Sequence, residues 1–155
     1  LPTVTTDAER LRIALVNMLV NARQALDGAG AAGPGLRGTD ADRGVVGNGR
    51  RGTDAERQTA AQRLLDPAEP LVTLKTGVRN GLVAITIGDR GAGIAPGHLL
   101  HVLDPYFTTK RGGTGLGLPI ARNIVEGLGG SLTVSSLPGR GTNIEIELPI
   151  DSSTP

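Results

Sequence analysis

Gly112-Gly113-Thr114-Gly115-Leu116-Gly117-Leu118-Pro119 is the stretch on which the reading of this chain turns. Glycines placed just before a helix expose unpaired N–H groups, and the helix dipole adds partial positive charge, so together they form an anion site suited to a polyphosphate. Pro119 fits the first turn, where a missing N–H costs least. No Gly-Lys-Ser/Thr closes the stretch, so it is not a Walker loop. It does not follow a first strand either, which excludes a Rossmann fingerprint.

Downstream, a helix is predicted from about Gly115 to Leu128 and stopped by Gly129-Gly130. Strands at Ser131–Ser136 and Thr142–Leu148 follow, with Pro138-Gly139 in the turn. Upstream lies Asp104-Pro105-Tyr106-Phe107-Thr108-Thr109-Lys110, which holds the only Tyr and the only Phe of the chain. Two aromatics beside hydroxyls and a lysine in a glycine-flanked loop suggest a lid whose cation reaches a phosphate. A plain hydrophobic plug is the alternative, and Phe107 suits either.

Further upstream, Asp89-Arg90-Gly91-Ala92-Gly93-Ile94 directly follows a predicted strand. An aspartate there can accept a hydrogen bond from an exocyclic amine, and the glycines let backbone approach a flat ligand. Alone the pattern is weak, because Asp and Gly commonly follow strands as plain turns. The strand belongs to a predicted pair, Leu71–Gly77 and Leu82–Gly88, joined at Arg79-Asn80-Gly81, since Asn-Gly is a strong hairpin signal. A short helix is expected near Pro96–Leu103.

The chain opens with a helix predicted from about Asp7 to Asp27, capped by Thr6 or Asp7. Leu11, Ala14, Leu15, Met18, Leu19, Ala22, Ala25 and Leu26 recur at helical spacing. Ile13, Val16 and Val20 lie on other faces, which predicts burial on more than one side. Asn17 and Asn21 are four apart and neighbour each other beside the apolar stripe. One such amide is ordinarily satisfied by nearby backbone. Two at this spacing point to a site, and an Asn carbonyl oxygen is a suitable hard ligand for Mg²⁺.

Between these parts the pattern collapses. Gly28–Arg51 has no period and is expected to be a mobile loop, while Thr53-Asp54-Ala55-Glu56 has the form of a capping box before a short helix. Six arginines between Arg37 and Arg63 are interleaved with acidic residues, with no aromatic to stack a base, so nucleic acid is not an expected partner. The formal charge of +1 agrees. Cysteine is absent, which removes disulfides and thiolate metal sites and fits a cytoplasmic setting. No apolar run approaches the roughly 20 residues of a membrane span, so no membrane contact is expected from this chain, and any anchor of a parent protein lies elsewhere. At 155 residues with 38% hydrophobic content, one core and a single domain over 1–155 are expected, interrupted by an insertion at about 28–70. The layout is α+β, with helices packed on one face of a mixed sheet.

Taken in order, these clusters resemble the sensor histidine kinases. Asn17…Asn21 is similar to their N box, Asp89–Gly93 to the G1 box, Asp104–Lys110 to the F box and Gly113–Leu118 to the G2 box. Gly129-Gly130-Ser131 and Gly139-Arg140-Gly141-Thr142 match the usual ending. Any one box is weak; four in order are specific, over about Asp7–Leu148. Asn21–Ala25 and Tyr106–Lys110 look like the nitrogen-regulatory branch. The resemblance implies a Bergerat fold, a two-layer α/β sandwich whose mixed sheet is backed by helices, with ATP under a lid.

Carried onto this chain, the resemblance makes Asn21 the Mg²⁺ ligand and Asp89 the adenine-reading carboxylate. Asn17, Asn21 and Lys110 would be the catalytic residues. Gly91, Gly93, Ile94 and Phe107 would line the nucleotide, with Gly113, Thr114, Gly115, Leu116, Gly117 and Leu118 around its phosphates. Partners implied are ATP, a histidine-containing dimerisation domain outside this chain, and a response regulator. Gyrase B, the mismatch-repair ATPases and the heat-shock chaperones share the fold but carry Glu where this chain has Asn17, which cannot act as a general base near neutral pH. That difference favours a kinase over a hydrolase. A serine/threonine kinase of the anti-sigma-factor type and a non-catalytic nucleotide-binding module are the other readings.

Two departures stand out. Many members carry a lysine three residues after the Mg²⁺ ligand, where this chain has Gln24, so charge neutralisation falls to Lys110, Arg111 or Arg23. His98 and His101 lack the acidic residue and proline of a phosphoacceptor helix, and no carboxylate or thiol set marks them as metal ligands. They read as ordinary lid residues, and the chain alone is expected to bind ATP without autophosphorylating.

Overall fold

A computed structural model describes residues 4–29, 44–47 and 71–150. Helix α1 (Ala8–Ala29) is followed by strands β1 (Gly44–Gly47), β2 (Val72–Arg79) and β3 (Leu82–Asp89). The one-turn helix α2 (Pro96–Leu99), helix α3 (Gly117–Gly127) and strands β4 (Ser131–Leu137) and β5 (Gly141–Pro149) complete the order. The five strands form one sheet in the order β1-β4-β5-β3-β2.

Local chemistry explains most boundaries. Asp7 caps α1, its carboxylate accepting from the Arg10 N–H at 3.1 Å. Asn80 and Gly81 both take positive φ, 53° and 76°, as a two-residue hairpin turn with the strand twist requires. Helix α3 ends in a Schellman arrangement: Gly130 N–H donates to the Val125 carbonyl at 2.9 Å and Gly129 N–H to Glu126 at 3.0 Å.

The strands alternate, and their inward residues are Ile85 and Ile87, Leu132 and Val134, and Ile144, Ile146 and Leu148, all buried. Against them pack Ala14, Met18 and Ala22 of α1, Ala121 and Val125 of α3, and Leu99 and Leu103 from the α2 region. Each large aliphatic side chain buried this way contributes about 1.5–3 kcal/mol. On the outer face Arg79 pairs with Glu145 at 3.0 Å and Glu147 at 3.3 Å. No helix among the described residues is long and apolar enough to cross a membrane.

Four expectations change. The element pattern and the resemblance both led to a mixed sheet, whereas every described pairing is antiparallel. This follows from two tight hairpins, β2–β3 and β4–β5, joined edge to edge through β3 and β5. Residues 44–47, expected within a mobile loop, form a strand paired with β4. Two valines between glycines are too short for a periodic signal, and the open edge of β4 supplies the partner. The helix expected over Pro96–Leu103 is one turn long. Ile13, Val16 and Val20, expected to be buried, are 48%, 52% and 47% exposed, because among the described residues the core packs against the side of α1 that carries Leu11, Ala14, Leu15, Met18 and Ala22. The capping box at Thr53–Glu56 lies outside the described residues.

Candidate functional site

The four sequence clusters meet at one end of the sheet, between the C-terminal half of α1, the end of β3 and the start of α3. Asn17 and Asn21 each precede a buried residue of the α1 stripe, Met18 and Ala22, and so run along its edge. The Asn17 amide donates to the Ile13 carbonyl at 3.1 Å, the local satisfaction expected of an isolated helical Asn. Both side chains nevertheless face Gly117, the first residue of α3. A Cβ there would sit 3.2 Å from Asn21 Nδ2 and 3.7 Å from Asn17 Oδ1. A side chain at 117 would press on the ends of both Asn side chains, so the glycine lets the helix start lie close to the pair.

Around that start, Leu116 is the N-cap residue and supplies no side-chain cap, so the N–H groups of the first turn keep their donor capacity. Thr114 Oγ1 accepts from Leu116 N–H at 3.4 Å, and Leu118 packs on the core. Gly113 N–H closes a turn on Lys110 at 3.1 Å, and the Gly115 carbonyl accepts from Tyr106 N–H at 3.0 Å, fastening the loop onto the aromatic segment. Tyr106 holds a positive φ of 67° and is 76% exposed. Phe107 is half-buried, with His98 and His101 at ring-centroid distances of 5.8 and 5.7 Å, so it plugs the loop base. His101 Nδ1 lies 2.8 Å from Asp104 Oδ2. Among the described residues no group of three or more His, Cys, Asp and Glu could hold a metal.

Lys110 reaches back to α1. Its Nζ donates to Gln24 Oε1 at 3.2 Å, to the Asn21 carbonyl at 3.3 Å and to Asn21 Oδ1 at 3.4 Å. Burial lowers its pKa, and the charge of Asp89 opposes that shift.

Asp89 ends β3 on the inward face and is 5% exposed. Its carboxylate accepts from Gly91 N–H at 2.9 Å. Burial raises its pKa, partly offset by N–H bonds from Gly91 and Thr142 and by Lys110. The glycine loop is fixed on two sides. Ala92 N–H donates to the Ala25 carbonyl at 3.4 Å, and Gly139 N–H donates to Ala92 at 2.7 Å. Ile94 packs on the core while its N–H donates to Ser136 Oγ at 2.8 Å.

Two polar residues here carry no site role in the sequence reading, Ser136 and Thr142. Both occupy inward positions of strands that otherwise alternate apolar residues inward, Leu132, Val134, then Ser136, and Thr142, Ile144, Ile146. That break in the pattern is the signal that marks them. An acidic carboxylate, oxygen ligands around a cation and a glycine-led helix start can together take a base, a metal and phosphates.

The family model described as histidine kinase-, DNA gyrase B-, and HSP90-like ATPase matches residues 6–152. The sensor histidine kinase ZraS of Salmonella typhimurium is 50% identical over 68 residues, 44% of this chain and 15% of the relative. AtoS of Escherichia coli is 44% identical over 68 residues, covering 44% and 11%. Sporulation kinase D of Bacillus subtilis is 38% identical over 82 residues, covering 53% and 16%. The chain thus spans between 11% and 16% of the length of these relatives. Two solved structures share the fold: full-length ShkA in complex with AMPPNP, with TM-score 0.63 and 22% identity over 100% of this chain and 24% of that one, and the mycobacterial sensor histidine kinase MprB, with TM-score 0.58 and 23% identity over 95% and 74%.

Proposed function

The chain belongs to the histidine kinase-, DNA gyrase B- and HSP90-like ATPase family, and from that premise we propose that it is the ATP-binding catalytic domain of a two-component sensor histidine kinase. It passes the γ-phosphoryl of Mg·ATP to a histidine on a separate helical dimerisation domain, and a response regulator receives it from there. The observation that carries the kinase reading is Asn17. At the position of the water-activating glutamate in the hydrolases of this family, this chain has an amide that cannot take a proton near neutral pH. The AMPPNP complex of ShkA and the local identity to ZraS and AtoS support the same reading. The residue pattern over 21–25 and 106–110 supports the nitrogen-regulatory branch.

Asp89 accepts a hydrogen bond from the exocyclic amine of adenine, and Gly91, Gly93 and Ile94 lie along the base. The unpaired N–H groups at the start of α3 and the glycine loop before it bind the phosphates, while Lys110 supplies positive charge. Asn21 suits Mg²⁺, because its carbonyl oxygen, with those of its own backbone and of Gln24, already surrounds a cationic group, the Lys110 ammonium. Bound there, Mg²⁺ neutralises phosphate charge. Positioning and electrostatics then supply most of the catalysis of in-line transfer.

The test is calorimetric titration of the chain with ATP and Mg²⁺, chromatography of the recovered nucleotide, then addition of the parent kinase's dimerisation domain. Saturable binding, intact ATP and phosphorylation of the added histidine are expected. ADP accumulating without an acceptor overturns the reading in favour of an ATPase. Transfer to serine or threonine of another protein favours the anti-sigma-factor class, and no binding favours a degenerate module.

A further inference from the structure

Asp89, Thr142 and Ser136 are the buried polar side chains among the described residues, 5%, 6% and 5% exposed. They form a single row. Asp89 is the register partner of Thr142 across β3–β5, and Thr142 is that of Ser136 across β5–β4. Directly opposed residues of antiparallel strands project on the same face, here the inward one that also carries the core isoleucines. Polar groups buried side by side must satisfy each other or cost free energy, so the protons in this row can be counted.

Ser136 has one hydroxyl proton, and it goes to the Gly141 carbonyl at 2.8 Å. Its oxygen accepts from Ile94 N–H at 2.8 Å. The remaining contact, Ser136 Oγ to Thr142 Oγ1 at 2.9 Å, therefore has Thr142 as donor. Thr142 has then spent its only hydroxyl proton away from Asp89. Its backbone N–H is spent as well, on the Asp89 carboxylate. The Asp89 end of the row is left with acceptors alone.

We propose that Ser136 is a specificity-determining positioning residue: by holding the Thr142 proton it keeps the base pocket an acceptor-only site that takes a purine with a 6-amino group and rejects one with a 6-oxo group. It also ties the Gly91–Ile94 loop to the β4–β5 hairpin through Ile94. This rests on Asp89 being the base-reading residue.

The test compares ATP with ITP, whose hypoxanthine presents a carbonyl where adenine presents an amine, by calorimetric titration of the whole chain. The unmodified chain prefers ATP by about 10- to 100-fold. Ser136→Ala frees the Thr142 proton for a carbonyl and lowers that preference about tenfold. In a Thr142→Val background the same substitution leaves the preference unchanged, because the proton it acts through is gone. Should the alanine variant not fold, Ser136→Cys keeps the volume with a weak donor and acceptor, and the preference must fall there too. An unchanged ATP:ITP ratio in the folded Ser136 variant overturns the proposal, as does an equal drop in the Thr142→Val background. If the unmodified chain itself fails to distinguish ATP from ITP, the Asp89 assignment falls instead.

Discussion

The ammonium of Lys110 donates to the side-chain oxygen of Gln24 across 3.2 Å, tying the loop after the two aromatics to the opening helix. Gln24 is the position at which the resemblance to the sensor histidine kinases led one to expect a lysine. The loop thus delivers to that spot the positive charge that the helix lacks. A lysine at position 24 would put a cation beside Asn21 from the helix, as Lys110 does from the loop.

If the two cations are equivalent, Lys110→Ala lowers ATP affinity about tenfold, the scale of one charge-assisted phosphate contact. Gln24→Lys in that background then restores most of it. Calorimetric titration of the single and double variants checks this. A double variant no tighter than Lys110→Ala means the loop lysine has a role the helix position cannot take over.

Asn21 offers the oxygen that suits Mg²⁺, so Asn21→Ala is expected to abolish the metal dependence of binding. The ratio of ATP affinities with Mg²⁺ and with excess EDTA should fall towards one, with little change in the EDTA value. A ratio as large as that of the unmodified chain would put the metal on other ligands.

Burial raises the pKa of Asp89 above its ordinary 3.8. The native chain therefore takes up the proton before the unfolded chain does, and acidification through that interval relieves the cost of a buried charge. Asp89 thus adds stability as pH falls, while on the proposed reading the charge that would hold the adenine amine is lost. ATP affinity should drop on acidification before ordinary aspartates titrate. Asp89→Asn should cost about 1.5–3 kcal/mol, 10- to 100-fold in affinity at neutral pH, and lose this acid limb. Titrations across a buffer series decide it; an acid limb that persists in Asp89→Asn belongs to another group.

What the sequence revealed depended on the range of the cause. Asn80-Gly81, Asp7 and Gly129-Gly130 act within a few residues, and the elements they bound were legible. The order of the four clusters was legible for the same reason. Strand β1 was not, because Val45-Val46 is a strand only where the edge of β4 pairs it. The exposure of Ile13, Val16 and Val20 depends on how much of α1 the other layers cover, which apolar spacing alone does not state. Ser136 and Thr142 were readable only as departures from an inward apolar alternation, and their partnership needs the β4–β5 register.

Gly141 takes a φ of 106°, and a Cβ on it would collide with the Asp89 carbonyl and stand 2.8 Å from Arg90 Cα. Backbone strain and forced displacement together make Gly141→Ala cost about 3 kcal/mol. Gly127, near the end of α3, has nothing within 4 Å of such a Cβ, so Gly127→Ala should add about 0.5 kcal/mol from reduced unfolded-chain freedom. Denaturant unfolding of the two variants is the check. Equal midpoints would mean that the approach of β5 to Asp89 is not tight.

Position 17 sets the fate of water at the phosphate site if the kinase reading holds. Asn17 faces Gly117 and the start of α3, where the helix dipole favours an anion. A glutamate there would stay ionised at neutral pH and could accept a proton from water. General-base groups contribute about 10²- to 10⁴-fold when fully aligned. A single substitution does not build the full alignment of an evolved base, so Asn17→Glu should raise ADP formation towards the lower end of that range. The gain should require Mg²⁺ and vanish in Asn17→Gln, which has the length but not the basicity. Chromatography of nucleotide incubated with each variant measures it. ADP formation equal in the Glu and Gln variants would mean that water is excluded by the shape of the site, with Asn17 merely tolerated beside it.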